Sequence, residues 1–348
     1  MNDDIVFKPS SMFDITQDDG FATFMRLPLV TMADPAFAQV DVGFVAIPWD
    51  GGTPNRPGAR HGPWQMRNAS IRLREENMLT RMRPFDLVNC ADLGDVITDP
   101  DSVLASLGWI TSYFDALVRA GIRPVSVGGD HLITLPILRA LGRDKPLGLV
   151  QFDAHTDLKR ARPEDPRYNH ATTFRHAVEE GLVDPHRMVQ IGIRGTSHDG
   201  EDRDFARAVG IRTITMDELA ARGRQDVMTE VRDIVGLDPT YVTFDIDFMD
   251  PCFAPGTGTP EVGGPSSFDA MQMCRALTGL NIVGADVVEL SPPFDTNGGT
   301  AWLAASILFE TLCSLVPGRA LSGASQPQIH PQETGNVADN LMKLARRA

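Results

Sequence analysis

The sequence lacks paired cysteines, a basic leader and long apolar runs. Its 348 residues include four cysteines, which lie far apart at Cys90, Cys252, Cys274 and Cys313. Without the close spacing of a zinc knuckle or a redox motif, they are expected to be reduced and mostly structural. No apolar run approaches the roughly 18 residues that cross a bilayer, and the first four residues are acidic rather than basic. We therefore predict a cytoplasmic protein without a membrane partner.

Positive charge is also scarce. There are 32 Lys and Arg residues against 46 Asp and Glu residues, a formal charge of −14 with histidine neutral. Proteins that bind nucleic acids normally present a basic face, so this balance predicts no nucleic-acid partner. The Gly-x4-Gly-Lys-Ser/Thr loop that cradles phosphates is absent as well, which argues against phosphoryl chemistry.

Eight short apolar runs alternate with amphipathic segments along the chain. Such runs are typical of parallel strands buried on both faces, so the pattern predicts an α/β protein. An open doubly wound sheet and an eight-stranded barrel both fit this alternation. The predicted strands are 42–47, 85–90, 124–127, 147–152, 188–193, 211–214, 241–244 and 282–288, and the predicted helices are 102–120, 135–141, 202–209, 226–235 and 267–277.

Three segments make up the predicted domain organisation. Residues 1–40 are expected to form an irregular N-terminal arm that wraps the surface, and 41–317 the catalytic domain. Residues 318–348 are expected to form a C-terminal arm, because a polar stretch containing two prolines follows Pro317. A short helix at its end, within 336–348, would either fray or dock onto a neighbouring subunit.

Metal-ligating residue types follow three of the predicted strands. One strand is followed by Gly-Gly-Asp-His at 128–131, the second by Asp-Ala-His-Thr-Asp at 153–157, and the third by Asp-Ile-Asp at 245–247. Extended backbone places residues i and i+2 on one side, so Asp153, His155 and Asp157 are expected to point together, as are Asp245 and Asp247. The carboxyl ends of the strands are where α/β proteins carry their chemistry.

The donor set fits two divalent ions. It contains His131, His155 and four aspartates, whose charge of −4 would be balanced by two M²⁺ ions sharing bridging carboxylates. Burying the aspartates without cations would cost several kcal/mol per ion. Oxygen ligands with two imidazoles and no thiolate favour Mn²⁺, while Ni²⁺ and Co²⁺ also accept imidazole.

Glu289 follows the last predicted strand and adds a further carboxylate near these motifs. A carboxylate beside a metal pair cannot stabilise an anionic substrate, but it can pair bidentately with a planar guanidinium. The sequence therefore favours a small cationic guanidino substrate.

These motifs resemble the ureohydrolase family of arginases and agmatinases. The resemblance runs from about residue 40 to 315. It includes Arg-Pro-Gly-Ala-Arg-His-Gly-Pro at 56–63, the three metal motifs in the family's order, Ala-Pro-Gly-Thr-Gly-Thr-Pro-Glu at 254–261 and Val-Glu-Leu-Ser-Pro-Pro-Phe-Asp at 288–295. It implies a three-layer α/β/α sandwich around a mostly parallel sheet of about eight strands, and therefore argues against the barrel.

The resemblance also implies a role for each site residue. One ion would be held by His131, Asp153, Asp157 and Asp245, and the other by Asp153, His155, Asp245 and Asp247. Glu289 matches the glutamate that binds the guanidinium group, and His170 matches a histidine that shuttles protons. The family usually has glycine after that histidine, whereas this chain has Ala171, which is expected to narrow the loop.

The implied reaction is hydrolysis of a guanidino compound to urea and an amine. Metal-activated water would attack the guanidinium carbon, while Asp157 and His170 would relay a proton to the leaving nitrogen. Family members form trimers and hexamers, so a homo-oligomer is expected. An amide hydrolase of the deacetylase type shares the fold but usually binds one zinc. A non-catalytic subunit of a hetero-oligomer is a further alternative, although all six ligands are present.

The substrate is less constrained by the sequence than the reaction. Features around 174–181 and 293–300 are more similar to the agmatinase and guanidino-acid hydrolase branch than to arginase itself. A basic lip follows the second metal motif, and it consists of Lys159, Arg160, Arg162 and Arg167. It could recognise the carboxylate of 4-guanidinobutanoate or 3-guanidinopropanoate and would repel the amine of agmatine. Two acidic residues in the same loop allow a solvated surface instead, and guanidine or a biguanide remain alternatives.

Overall fold

Residues 5–10, 21–161, 167–197 and 199–320 are described by the structure, a computed structural model of the chain. The strands are β1 (Val42–Ile47), β2 (Cys90–Asp95), β3 (Arg123–Gly128), β4 (Leu147–Phe152), β5 (Val183–Ile193), β6 (Arg212–Thr215), β7 (Thr240–Asp245) and β8 (Ile282–Val288). The α-helices are α1 (Gly62–Ser70), α2 (Val103–Arg119), α3 (Thr134–Leu141), α4 (Thr173–Glu179), α5 (Glu201–Val209), α6 (Met216–Arg222), α7 (Arg224–Val235), α8 (Ser267–Ala276) and α9 (Gly299–Ala320).

The strands form one parallel sheet in the order β2-β1-β3-β8-β7-β4-β5-β6. One hydrophobic cluster packs α1, α7, α8 and α9 onto one face, and a second packs α2, α3 and α4 onto the other. Alternate strand residues supply the two clusters, as expected when side chains alternate across a strand. The predicted three-layer α/β/α sandwich is confirmed, and the sheet is open, with edges at β2 and β6.

The second predicted strand, 85–90, is wrong. Pro84–Asp86 is a 3-10 helix. The strand begins only at the last residue of the predicted range and covers Cys90–Asp95. Phe85 and Val88 are apolar because they are buried under the turn rather than in the sheet. The true strand has polar residues because it lies at an edge and because its buried Asp92 pairs with Arg67 at 2.9 Å.

The predicted N-terminal arm is irregular in its described part but does not merely wrap the surface. Phe24 and Met25 are buried in the core cluster that also contains α1. The backbone N–H of Phe24 donates to Asp92 at 2.9 Å, and the Arg67 guanidinium lies 4.6 Å from the centre of the Phe24 ring. This contact ties the segment to α1 and β2.

Helix α9 departs from two expectations. Gly299–Pro317 has the length and composition of a membrane-spanning helix, but most of it is buried inside this protein, against β8, α1 and α8. The helix also continues through Pro317 to Ala320, three residues into the segment that was predicted as a C-terminal arm. A proline inside a helix removes one backbone hydrogen bond and crowds the carbonyl four residues earlier, but this helix continues for three residues beyond it. Residues 321–348, with the predicted helix within 336–348, lie outside the described residues.

The strand order brings the functional motifs together. In the middle of the sheet, four strands lie side by side in the order β3, β8, β7 and β4, which differs from their order along the chain. Their carboxyl ends lead into His131, Glu289, the Asp245–Asp247 turn and the 153–157 segment, respectively. Parallel strands end at the same edge of a sheet, so these residues share one rim.

Candidate metal centre

Four of the predicted ligands meet around one imidazole nitrogen. The Nδ1 atom of His131 lies 3.2 Å from Asp153 Oδ2, 3.1 Å from Asp157 Oδ2 and 3.2 Å from Asp245 Oδ2. All four side chains are buried, and His131 and Asp153 are fully enclosed. Despite these short distances, Nδ1 has no hydrogen-bond partner of acceptable geometry among the described residues.

The hydrogen bond made by His131 Nε2 determines whether Nδ1 carries a proton. Thr243 donates its hydroxyl proton to Asp286 at 2.6 Å, so its oxygen is left to accept from His131 Nε2–H at 2.8 Å. Asp286 also accepts from the hydroxyls of Thr134 and Tyr241 and is therefore an acceptor throughout. In the neutral imidazole, the Nδ1 lone pair then faces three carboxylate oxygens. A metal cation between these groups would make the arrangement favourable, because the lone pair and the three carboxylates could all bind it.

A second group of ligands adjoins the first through Asp153. His155 Nδ1 lies 2.9 Å from Asp247 Oδ2 and 3.7 Å from Asp153 Oδ1. Candidate ligand atoms of His131, Asp153 and Asp245 lie within 4.8 Å of one another, as do those of Asp153, His155 and Asp247. The His155 side chain is 33% exposed, so the second group is the one that opens to solvent.

The ligands converge for a different reason than the one predicted. β4 ends at Phe152, before the first ligand, and Asp157 has a left-handed backbone with φ of 51°. Asp245 ends β7, and Asp247 lies in the 3-10 helix Ile246–Phe248. Alternation along an extended strand is therefore not what aligns them. Glu289, with φ of 64°, is likewise in a conformation that L-residues rarely adopt, and such strain is common at functional sites.

Buried negative charge dominates the electrostatics of the cluster. Burial and the charges of Asp247 and Asp153 raise the pKa of Asp245 well above its usual value. Burial and Asp153 raise the pKa of Asp157 to about 6. Burial alone would lower the pKa of His131, but the surrounding aspartates raise it well above its usual value. In the absence of metal ions, these three side chains therefore bind protons more readily than usual. The cluster thus favours the addition of positive charge.

Glu289 and His170 contact each other directly. Burial of His170 opposes its charged form, but the Glu289 carboxylate raises the pKa of His170 to about 9. His170 Nδ1 lies 2.9 Å from Glu289 Oε1, and the same oxygen accepts from the backbone N–H of His131 at 2.8 Å. The Glu289 side chain is 3% exposed and that of His170 is 16% exposed. The pair thus connects the buried cluster with solvent.

Ala171 does not distort the loop that carries His170. His170–Thr172 is a 3-10 helix capped by Asn169, which forms a capping box with Thr172. The carbonyl of Ala171 accepts from the backbone N–H of Lys159 at 2.9 Å, and Ala171 is not among the residues with positive φ. A methyl group is therefore accommodated at this position.

Part of the predicted basic lip forms a cleft. The cleft has a volume of about 300 Å³ and is lined by Arg160, Ala161, Arg167, Arg175, His176 and Glu179. Arg175 is already paired with Glu179 and Glu201, so Arg160 and Arg167 supply the excess positive charge. Lys159 is exposed, and Arg162 lies outside the described residues.

Several polar residues at the site were missed by the prediction, among them Gln151, Thr243 and Asp286. Each lies inside a strand predicted from its apolar character, and each is buried. Their polar character within otherwise apolar runs could have identified them, since a buried polar side chain needs a hydrogen-bond partner.

Replacement of Thr243 by valine tests the arrangement around His131. The valine cannot accept the Nε2–H bond, so the orientation and tautomer of His131 should no longer be held. We expect Mn²⁺ binding by the metal-free protein to weaken by about 10- to 100-fold, measured by titration calorimetry. The exposed Thr229→Val variant is the control and should bind as the wild type does. Unchanged affinity in Thr243→Val would contradict this account of His131.

Comparison with known proteins agrees with this geometry. Residues 40–313 match the model of the arginase family. The chain is 51% identical to a guanidinopropionase of Pseudomonas aeruginosa over 315 residues, which covers 90% of this chain and 98% of that protein. It is 44% identical to a guanidinobutyrase of the same organism over 300 residues, with 86% and 93% covered.

A solved structure shares the fold over nearly its full length. The proclavaminate amidino hydrolase of Streptomyces clavuligerus superimposes with a TM-score of 0.81 at 39% identity, covering 87% of this chain and 99% of that one. The sequence relatives, the family match and the fold all point to the same group, as the motifs predicted. The chain belongs to the arginase family.

Proposed function

We propose that the protein is a binuclear metal-dependent hydrolase that cleaves a guanidino compound to urea and an amine. The observation that carries the proposal is the buried His131 Nδ1, which faces three carboxylate oxygens and has no hydrogen-bond partner in the described part of the chain. Membership of the arginase family supports the same reaction. The relatives at 51% and 44% identity carry the names of hydrolases acting on guanidino acids.

The residues fit two ions. One would be held by His131, Asp153, Asp157 and Asp245, and the other by Asp153, His155 and Asp247. The resemblance to the family adds Asp245 to the second set. Asp153 belongs to both groups of candidate ligands, which supports its role as a bridge. The oxygen-rich donor set favours Mn²⁺, with Ni²⁺ and Co²⁺ as alternatives. When bound, such a pair lowers the pKa of a water molecule and stabilises developing negative charge.

The chain itself would orient the substrate and move the proton. Glu289 Oε1 is occupied by the backbone N–H of His131 and by His170, whereas no hydrogen bond to Oε2 is found within the described ranges. Oε2 can therefore accept from a guanidinium N–H, and burial strengthens such a charge-assisted bond. His170, which Glu289 keeps protonated near neutral pH, can donate a proton to the leaving nitrogen.

The substrate that we propose is a guanidino acid rather than agmatine. The cleft with Arg160 and Arg167 adjoins the metal-ligand segment, because the backbone N–H of Arg175, another lining residue, lies 3.4 Å from the carbonyl oxygen of Asp157. Guanidinium groups there would attract a carboxylate tail and repel an amine. Agmatine, guanidine and a biguanide are the alternatives that the assay separates.

Urea release from a panel of guanidino compounds, with Mn²⁺ and with Ni²⁺, tests this choice. We expect turnover of 3-guanidinopropanoate or 4-guanidinobutanoate and little turnover of agmatine. In Arg160→Gln and Arg167→Gln, KM for the acid should rise by about tenfold with kcat nearly unchanged, because a bond to a charged group is lost. Arg119→Gln, an exposed change on α2, is the control for net charge. Agmatine turnover with both acids inert would contradict the proposal.

Assembly and localisation remain predictions. We propose a homo-oligomer, a trimer or a hexamer, in the cytoplasm, without nucleic-acid or membrane partners. The retention of all six candidate ligands supports a catalytic subunit over the non-catalytic partner of a hetero-oligomer. If the pure protein released no urea from any compound in the panel, the non-catalytic alternative would be favoured.

A further inference from the structure

A row of buried polar residues crosses three strands beneath the metal centre. Gln151 on β4 is the cross-strand partner of Gln190 on β5, which in turn is the partner of Thr213 on β6. Both glutamines are fully buried, although they lie in strands that are otherwise almost entirely apolar in this region. In-register residues of parallel strands lie on the same side of a sheet, so the three side chains can bond to one another.

The hydrogen bonds in this row run in one direction. Thr213 donates to Gln190 Oε1 at 3.1 Å, and Gln190 Nε2 donates to Gln151 Oε1 at 2.8 Å. Gln151 Nε2 then donates to Asp153 Oδ2 at 2.7 Å. Each amide oxygen accepts from the preceding residue, so neither glutamine can flip without losing its bonds.

The remaining amide hydrogens reach the backbone of the metal-ligand segment. Gln151 Nε2 also donates to the carbonyl of His155 at 3.2 Å, and Gln190 Nε2 donates to the carbonyl of Thr156 at 2.6 Å. The two side chains therefore hold the segment at three points, one carboxylate and two carbonyls. That segment carries Asp153, His155 and Asp157, half of the six candidate ligands.

We propose that Gln190 and Gln151 are positioning residues that hold the 153–157 segment ready for metal binding before the ions arrive. The proposal rests on the metal centre of the proposed function and adds a residue two strands away from Asp245 in the sheet order. Fully bonded buried polar networks rigidify the groups they contain, and here the ends of the network are ligands.

The use of amides suits a site that must accept cations. Asp153 Oδ2 lies 3.2 Å from His131 Nδ1 and is one of the oxygens facing that nitrogen. A lysine or arginine donor would orient Asp153 equally well, but its positive charge would compete with the metal. A neutral amide fixes the carboxylate and leaves its negative charge for the ions.

Calorimetric titration of the metal-free full-length protein with Mn²⁺ tests the proposal. Gln190→Met keeps the size of the side chain and removes its hydrogen bonds to Gln151 and to the carbonyl of Thr156. We expect Mn²⁺ to bind about 10- to 100-fold more weakly. Hydrogen exchange at the backbone amides of 153–157 should also be faster in the metal-free variant than in the wild type, since the segment is released.

Two further variants separate positioning from general stability. Val189→Ala lies on the same strand but in the opposite hydrophobic cluster, so it should lower stability while leaving Mn²⁺ affinity within about twofold of the wild type. Thr213→Val leaves both glutamines in place and removes only the first donor, so it should weaken binding less than Gln190→Met. It also provides the test if Gln190→Met fails to fold.

The outcomes distinguish this proposal from the proposed function. If Gln190→Met and Thr213→Val bound Mn²⁺ as tightly as the wild type does, the positioning role would be overturned and the metal centre would stand. Equal weakening in Val189→Ala and Gln190→Met would also overturn it, since the effect would then follow stability. Wild-type protein that binds none of Mn²⁺, Ni²⁺ and Co²⁺ would overturn both.

Discussion

Asp245→Asn is expected to lower kcat for urea release by about 10³-fold or more. A metal pair contributes several kcal/mol to stabilisation of the transition state, and each 1.4 kcal/mol corresponds to about tenfold in rate. Asp245 Oδ2 lies 3.2 Å from His131 Nδ1, and the pKa of Asp245 is raised by burial and by its aspartate neighbours. Asparagine removes the charge and one ligand oxygen at the centre of the cluster.

Asp245→Asn should remove a metal ligand without disturbing the local backbone. Asp245 Oδ1 accepts from the backbone N–H of Asp247 at 2.8 Å, and the amide oxygen of asparagine can keep this bond and the turn it supports. Circular dichroism, and thermal unfolding of the metal-free proteins, should therefore remain close to those of the wild type, while elemental analysis of the metal-loaded variant finds less metal per chain.

Asp233→Asn is the matched control. Asp233 is exposed on α7, so its replacement changes the net charge equally without contact with the cluster. It should retain wild-type kcat and metal content. If Asp245→Asn kept more than a tenth of wild-type activity with its full metal content, Asp245 would not be a ligand of the reacting centre.

Arg275→Met is expected to lower the free energy of unfolding by about 3–5 kcal/mol, the cost of leaving a buried charge without its partner. Arg275 on α8 donates to both carboxylate oxygens of Glu310 on α9, one of them through Nε at 2.9 Å. Glu310 is 3% exposed and also accepts from Asn77 at 2.9 Å. After the substitution, the neutral amide of Asn77 would be the one hydrogen-bond donor left to the glutamate among the side chains that the structure describes.

The double variant Arg275→Met/Glu310→Leu shows whether the unpaired charge causes the loss. Replacing both partners by apolar residues is often nearly neutral, so the double variant should be more stable than Arg275→Met alone. Chemical denaturation of metal-free proteins measures both, which removes the contribution of metal binding. A double variant less stable than the single one would show that Glu310 is solvated without Arg275.

Much of the fold could be predicted because the central strands are buried on both faces. β1, β4 and β8 have the predicted bounds, since their apolar runs end at turns or polar motifs. The edge strand β2 was misplaced because it is more polar than the 3-10 segment before it. Helix α9 was not predicted because it is apolar all round and therefore lacks an amphipathic period.

Part of the candidate site could likewise be predicted from the sequence, and part of it could not. His131, Asp153, Asp245 and their companions follow strand ends, where a polar motif is visible in the sequence. Gln190 lies 37 residues beyond Asp153, and its effect on that carboxylate depends on the register of β5 against β4. Asp286 acts on His131 through Thr243, and it bonds Thr243 because β8 lies beside β7. Neither the neighbours of a strand in a parallel sheet nor its register against them can be derived from one sequence.

We propose that two metal ions in this cluster are required to release urea from a guanidino acid. The most direct test is to add Mn²⁺ stepwise to the metal-free protein and to measure urea release from 3-guanidinopropanoate at each ratio of metal to chain. We expect no release without metal and a plateau when two ions per chain are bound. Full activity without metal, or a plateau at one ion per chain, would contradict the account.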